Sequence, residues 1–337
     1  MRRREFLGRI GGAVASWPLA ARAQQPAKMK RIAVVGASDP VANMTITGRR
    51  SFRAFFEELG ALGYIEGRNL LVERYSAEGR PDHYAELARD VVRARPDLIV
   101  STRALLTAEF KKATTTIPIV TTASDPIAAG LVPSLAHPGG NITGVSVDAG
   151  LQIWGKRLGL LREITPKMSN ARFLTTQLDW EWEIANEASA ARAAARQAGI
   201  TLAGATLGNT IDEAAYQRVF TSMEQERVDA LLVSGASEHL TNRVVIVELA
   251  AKNQLPTIYP YKDFTEVGGL LAYSIDLGDT FRLVADLVDK ILKGADPGDL
   301  PFFQPSKFEL IVNLKTSKAL GLEMPPTLVA RADQVIE

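Results

Sequence analysis

Three short stretches in the first half of the chain place hydroxyl and acidic side chains directly after an apolar run and directly before a helical pattern: Ser38-Asp39, Ser101-Thr102-Arg103 and Ser124-Asp125. At such positions the free N–H groups of a helix start converge with hydroxyls, a combination that receives an anion such as a carboxylate. The equivalent positions of the second half hold Asp179-Trp180, Ser234-Gly235 with Ser237-Glu238, and Tyr259 with Tyr261, while Tyr273 and Asp276 stand near a place where the chain turns back. Acids beside aromatic faces suit an ammonium carried on an apolar or aromatic body. The candidate lining is therefore Ser38, Asp39, Thr102, Arg103, Ser124 and Asp125 on one side, and Asp179, Trp180, Ser234, Tyr259, Tyr261, Tyr273 and Asp276 on the other. Its chemistry is that of a small amphipathic solute bearing a carboxylate, an amino acid or an aromatic acid. Ser38, Thr102 and Ser124 are expected to meet the carboxylate, Trp180 and Tyr261 to cover the body, and Asp276 to meet the ammonium. Each residue also has a plainer reading. Ser and Asp before a helix are common N-caps, either Trp180 or Trp182 serves equally well in packing, and Arg103 is either a ligand clamp or a partner for Asp125.

The elements that must hold these residues alternate regularly. β-branched runs at Arg31–Gly36, Leu70–Tyr75, Leu98–Ser101, Ile117–Thr121 and Thr143–Val147 are separated by amphipathic stretches, among them Arg49–Leu62, Tyr84–Ala94, Leu105–Ala113 and a short helix over Ile127–Ala136. A second set runs from a helix at Gln152–Ile164 through strands at Arg172–Thr176, Thr201–Ala205, Ala230–Val233, Thr257–Tyr259 and Leu270–Ser274, with helices over Glu183–Ala198, Asp212–Glu226 and Leu240–Asn253 between them. Strands joined by single helices imply right-handed crossovers and parallel sheets buried on both faces. The expectation is an α/β chain of two doubly wound parallel-sheet lobes. The tail, with a helix over Thr280–Leu292, a strand at Phe308–Val312 and a short helix at Thr316–Leu320, is too small for a core of its own and must complete sheets already built. Crossings near Val147, Ile275 and Asn313 then give a three-stranded hinge, with lobe 1 formed by residues 30–147 plus 276–313 and lobe 2 by 148–275 plus 314–337. Ligands of open α/β sheets sit at the carboxyl ends of the strands, which two facing lobes would bring to one cleft.

Residues 1–23 read as an address. Arg2, Arg3 and Arg4 precede Glu5-Phe6-Leu7, a small-residue apolar run extends from Ile10 to Ala20, and Ala21-Arg22-Ala23 offers a cleavage site. The Arg3-Arg4-x-Phe-Leu arrangement, with an apolar run diluted by Gly8, Gly11, Gly12 and Ser16, is that of a twin-arginine export signal. The expected location is periplasmic, the mature chain starting near Gln24. The leader holds five of the 39 basic residues and one of the 38 acidic ones, leaving 34 against 37. A mildly acidic chain lacks the basic stripe that nucleic acid requires. With no cysteine there is neither a disulfide nor a thiolate, and no later stretch reaches the roughly 18 continuous apolar residues of a membrane span.

Catalytic motifs are incomplete. Gly150 to Lys156 fits the glycine and lysine spacing of a phosphate loop, but Arg157 stands where a magnesium-binding hydroxyl belongs and Trp154 would crowd the loop. No Gly-x-Ser-x-Gly elbow occurs, and no dinucleotide fingerprint follows the first strand. His83, His137 and His239 lack zinc-site spacing. No cofactor, metal or catalytic residue is expected, the rival being an exported hydrolase that uses Ser237 and His239.

The stretches Ser124-Asp125-Pro126, His137-Pro138-Gly139-Gly140-Asn141-Ile142-Thr143-Gly144, Val267-Gly268-Gly269-Leu270-Leu271-Ala272-Tyr273 and Pro305 to Thr316 resemble the signatures of one family, as does the closing Pro325-Pro326-Thr327-Leu328-Val329-Ala330-Arg331-Ala332-Asp333. It is the ABC-transporter substrate-binding proteins of tryptophan/tyrosine-binding type, and the likeness runs from about Lys30 to Glu337. The resemblance implies a type I periplasmic-binding-protein fold and a non-catalytic extracytoplasmic receptor that delivers a small solute to a membrane permease. The expected partners are that small-molecule ligand and an ABC permease, with the protein itself a monomer; a ligand-sensing subunit of a signalling system is the remaining alternative. Replacing both Arg3 and Arg4 by lysine should leave the precursor uncut inside the cell. Unchanged appearance of mature protein outside would rule out the twin-arginine route.

Overall fold

The computed structural model describes residues 29–147, 152–181, 187–208 and 210–337. The leader expected over 1–23, Trp182 and the Gly150 end of the phosphate-loop spacing lie outside the described residues. The first sheet contains β1 (Lys30–Gly36), β2 (Leu70–Ser76), β3 (Leu98–Ser101), β4 (Ile119–Ala123) and β5 (Ile142–Ser146), in the order β2-β1-β3-β4-β5 and all parallel. Its central strands, Ile32-Ala33-Val34-Val35 and Leu98-Ile99-Val100, are apolar at every position because helices cover both faces. On one face lie α2 (Tyr84–Ala94) and α3 (Ala104–Ala113); on the other lies α1 (Arg50–Ala61).

The second half supplies α4 (Ile153–Ile164), β6 (Asn170–Thr176), α5 (Gln177–Glu181), α6 (Glu187–Ala198), β7 (Thr201–Leu207), α7 (Glu213–Gln225), β8 (Ala230–Val233), α8 (Ser237–Thr241), α9 (Arg243–Lys252), β9 (Thr257–Tyr259) and β10 (Leu271–Ser274). Then come α10 (Leu277–Leu292), β11 (Glu309–Asn313), α11 (Leu314–Ala319), α12 (Pro326–Ala330) and β12 (Gln334–Ile336). The second sheet has seven strands in the order β12-β11-β10-β9-β8-β6-β7, parallel except where β11 meets β10. No described helix is long and apolar enough to cross a membrane.

Among the described residues, two elements pass between the sheets. Helix α10 follows a strand of the second sheet yet packs on α1 of the first, with Phe52 and Phe281 edge to face at 5.3 Å and Val284, Ala285 and Val288 in the same apolar cluster. After it, Phe303 forms a short parallel bridge along β5, donating its N–H to the Gly144 carbonyl (2.9 Å) and accepting from Ser146 N–H (2.8 Å). The chain then recrosses between 304 and 308, earlier than the crossing expected near Asn313. Strand β11 belongs to the second sheet: Leu271 faces Val312, Ser274 faces Glu309, and Phe308 stacks on Tyr273 at 5.6 Å. A strand edge left open at β10 would have orphaned its backbone groups, and β11 fills it.

The helix expected over Ile127–Ala136 is absent. Ala129 N–H reaches Asp125 O and Leu131 N–H reaches Pro126 O, a single turn. Gly130 then takes a φ of 66° and Pro133 removes the next donor, so the turn is not propagated.

Asp276 caps α10, accepting from Gly278 N–H at 2.7 Å and Asp279 N–H at 3.3 Å, and pairs with Arg50 (2.6 Å) and Lys262. Burial opposes its charge, but Lys262, Arg50 and the cap N–H outweigh burial and bring its pKa down to about 2. A depressed folded pKa stabilises above the ordinary value of 3.8 and is lost as pH falls through about 2. Asp276→Asn keeps the cap and loses the ion pairs. It should cost roughly 1–2 kcal/mol near neutral pH, with the difference from the native protein vanishing below about pH 2 in acid-unfolding titrations.

Candidate functional site

A cavity of about 160 Å³ opens where the carboxyl ends of the two sheets face each other. Its first wall is built by Asp39 after β1, Arg49 before α1, Thr102 and Arg103 after β3, and Ser124 and Asp125 after β4. The opposite wall carries Thr175 at the end of β6, Asp179 on α5, Glu187 and Ala188 at the start of α6, the turn 234–237 after β8, and Tyr261 after β9. Leu105, Leu240, Leu277 and Phe281 supply apolar surface. Parallel strands dictate this placement, since every β-to-α loop emerges at the same edge.

The walls touch across the cavity. Arg103, which precedes α3, reaches Asp179 at 2.6 Å and also Glu238 on α8. Burial works against the guanidinium charge, and Asp179 and Glu238 together overcome it and hold the pKa well above its ordinary range. Ser124 Oγ donates to Glu187 Oε1 at 2.6 Å, and Gly235 N–H donates to Glu187 Oε2 at 2.8 Å. A Cβ on Gly235 would stand 2.8 Å from the Tyr261 hydroxyl and 3.0 Å from Glu187 Oε1, so only glycine lets these groups converge. Tyr261 donates its hydroxyl to the Gly235 carbonyl at 3.1 Å.

Asp39 is 1% exposed and pairs with Arg49 at 2.7 Å through Oδ1, while its Oδ2 has no hydrogen-bond partner among the described residues. Burial pushes the Asp39 carboxyl upward against the pull of Arg49. Ser234, 3% exposed, likewise has an unpartnered hydroxyl. Buried polar atoms are rarely left without partners, and both of these residues line the cavity.

Of the residues expected from sequence, Asp39, Thr102, Arg103, Ser124, Asp125, Asp179, Ser234 and Tyr261 line this cavity. Five others sit elsewhere. Ser38 meets Thr241 of the opposite wall at 3.3 Å. Tyr259 is buried and stacked on Phe264 at 4.8 Å. Tyr273 stacks on Phe308 and accepts from Arg157 Nε through its carbonyl at 3.1 Å. Asp276 is the helix cap at the connection. Trp180 lies flat over β7, where a Cβ on Gly204 would fall 2.7 Å from its ring, and Arg192 stacks on it at 4.5 Å. Arg103 does not pair with Asp125, which turns back to accept from Ile127 and Ala128 N–H at 3.1 and 2.9 Å. Arg49 and Glu187 carry no site signal in the sequence, whereas Glu238 stands beside Ser237 at an expected cleft position without a role assigned to it. Glu187 fell inside a longer expected helix, where an acid reads as a solvated face; only its place at the start of an alanine-rich stretch sets it apart.

Ser237 and His239 do not form a nucleophile and base. His239 is fully buried, with Nδ1 on the Tyr216 hydroxyl at 2.9 Å, and burial lowers its pKa to about 3. Ser237 Oγ instead faces Glu238 at 3.3 Å. Trp180→Ala should lower stability by about 2–3 kcal/mol through lost packing, yet leave solute affinity within twofold. A large loss of affinity in titration calorimetry at unchanged stability would place Trp180 in the site after all.

A family model described as ABC transporter substrate binding protein matches residues 49–336. The tyrosine-binding protein of Clostridioides difficile is 25% identical over 272 residues, covering 80% of this chain and 76% of that protein. Among solved structures, a conserved domain protein of Vibrio cholerae superposes with a TM-score of 0.78 at 24% identity, covering 91% of this chain and all of the other. A domain from Streptococcus pneumonia, in complex with L-Trp, superposes at 0.76 with 23% identity, covering 91% and 99%. At these identities the superpositions establish the fold, that of the type I periplasmic binding proteins. The family model spans nearly all of the described chain, and the protein therefore belongs to the ABC transporter substrate-binding proteins, extracytoplasmic receptors that bind a small molecule and work with a permease without catalysing a reaction.

Proposed function

We propose that the protein is the monomeric, exported receptor of an ABC importer and that it closes on one small amphipathic amino acid or aromatic acid. The observation that carries this reading is the cavity at the strand ends, spanned from wall to wall by Arg103 with Asp179 and Glu238 and by Ser124 with Glu187. These bridges exist only when the lobes are together, as hinge closure requires. A volume of about 160 Å³ is close to the roughly 150 Å³ that accommodates a benzene ring, so a single aromatic body fits. Leu105, Leu240, Phe281 and Tyr261 would cover it, while the hydroxyls of Thr102 and Ser234 offer donors to a carboxylate. The tyrosine-binding relative and the L-Trp complex support the same class of solute.

Thermal-shift screening of the mature protein against amino acids, aromatic acids and sugars tests the reading. A true solute at 100 times its dissociation constant adds about 2.7 kcal/mol to native stability, and the same solute should reduce the radius of gyration in small-angle scattering. Stabilisation by a sugar and by none of the amino or aromatic acids would overturn the solute class. An unchanged radius at saturation would overturn closure.

A further inference from the structure

The charges around the cavity are unbalanced. Its lining carries four acids, Asp39, Asp125, Asp179 and Glu187, against two arginines. Both arginines already face carboxylates, Arg49 that of Asp39 and Arg103 those of Asp179 and Glu238. A carboxylate brought into this space would find hydroxyls but no uncommitted cation among the described lining residues, and would add to an existing excess of negative charge. A cation would reduce that excess.

Glu187 is built to receive such a cation. One oxygen accepts from Ser124 on the first wall and the other from Gly235 N–H on the second, which fixes the carboxylate where the lobes meet. Each carboxylate oxygen retains a further lone pair. Independently of Glu187, the buried Asp39 Oδ2 is an acceptor without a donor, and the Ser234 hydroxyl is also unpartnered. An ammonium carries three donors and no acceptor, which suits these oxygens; the lining's own nitrogen donor without a hydrogen bond, Arg49 Nη1, is held 2.7 Å from Asp39 Oδ1 in the ion pair.

We propose that the obligatory charged group of the solute is its ammonium, received by Glu187 with Asp39 as the second negative charge, and that its carboxylate is dispensable. This deepens the amino-acid reading above, on which it rests, and it moves the ammonium site from the expected Asp276 to the mouth of α6. The cleft then discriminates against deaminated acids and tolerates decarboxylated amines.

The test compares L-tryptophan, tryptamine and indole-3-propionate by titration calorimetry on the full mature chain and on Glu187→Gln. The glutamine preserves shape, since Ser124 can turn its hydroxyl to accept from the new amide while the amide oxygen still accepts from Gly235 N–H. Native protein should bind tryptamine within tenfold of L-tryptophan and indole-3-propionate at least a hundredfold more weakly. Glu187→Gln should lose tenfold or more for both amines and nothing for the acid, with an unchanged melting temperature confirming the fold. Indole-3-propionate binding as tightly as L-tryptophan, or Glu187→Gln leaving or improving amine affinity, would overturn the proposal; improvement would mark Glu187 as a tethered occupant of a carboxylate site. If none of the three probes binds, the aromatic reading fails by itself. The ammonium proposal is then decided on whichever solute raises the melting temperature, and it falls if that solute carries no positive charge.

Discussion

Arg103 holds a charge that the first lobe cannot satisfy. It sits at the end of β3, nearly buried, and its counter-charges, Asp179 and Glu238, belong to the other lobe. A buried cation without partners costs several kcal/mol, so this side chain is compatible with burial only when the two walls meet. In the hinge motion proposed above, separation of the lobes would return all three groups to water, where their desolvation cost disappears along with their attraction. Under that proposal the closed arrangement would depend on a near balance that a solute in the adjoining cavity could tip.

The connections between the lobes obey a different constraint. Helix α10 leaves the second sheet and is committed to the first by Phe281, Val284 and Val288, so the segment before it must pass between lobes. Asp276 fixes that passage by capping the helix and drawing Arg50 from one lobe and Lys262 from the other onto one carboxylate. An acid that reads as a ligand contact is here already saturated by the protein, which is why its charge serves the connection and not the cavity.

The cavity draws its character from what is missing there. Asp39 Oδ2 and Ser234 Oγ are buried without hydrogen-bond partners beside an acid-rich wall. His239 follows on the next helix turn but stays out of the lining: burial keeps it neutral and its Nδ1 is committed to Tyr216. Solute recognition by groups held ready in this way needs no reactive side chain.

The alternation of apolar runs and amphipathic stretches was sufficient to determine two parallel α/β units, because period-2 and period-3.6 patterns are local properties of the chain. It also placed hydroxyls and acids at strand ends, and most of those reach the cavity because parallel topology sends every such loop to one edge. Side-chain direction was another matter. Trp180 is one residue from Asp179, yet it turns to the far face over Gly204, where the absent Cβ leaves room for a ring. The assignment of β11 to the second sheet depended on the open edge of β10, a partner forty residues away in sequence. Glu187 gained its place from Ser124 and Gly235, each about fifty or more residues distant. The sequence by itself determined most of the elements, though not the break at Gly130 or the closing strand β12, and the end of the sheets at which the candidate cavity lies. Tertiary structure alone decided which charges are paired, because pairing depends on the approach of two lobes and leaves no periodic trace in either.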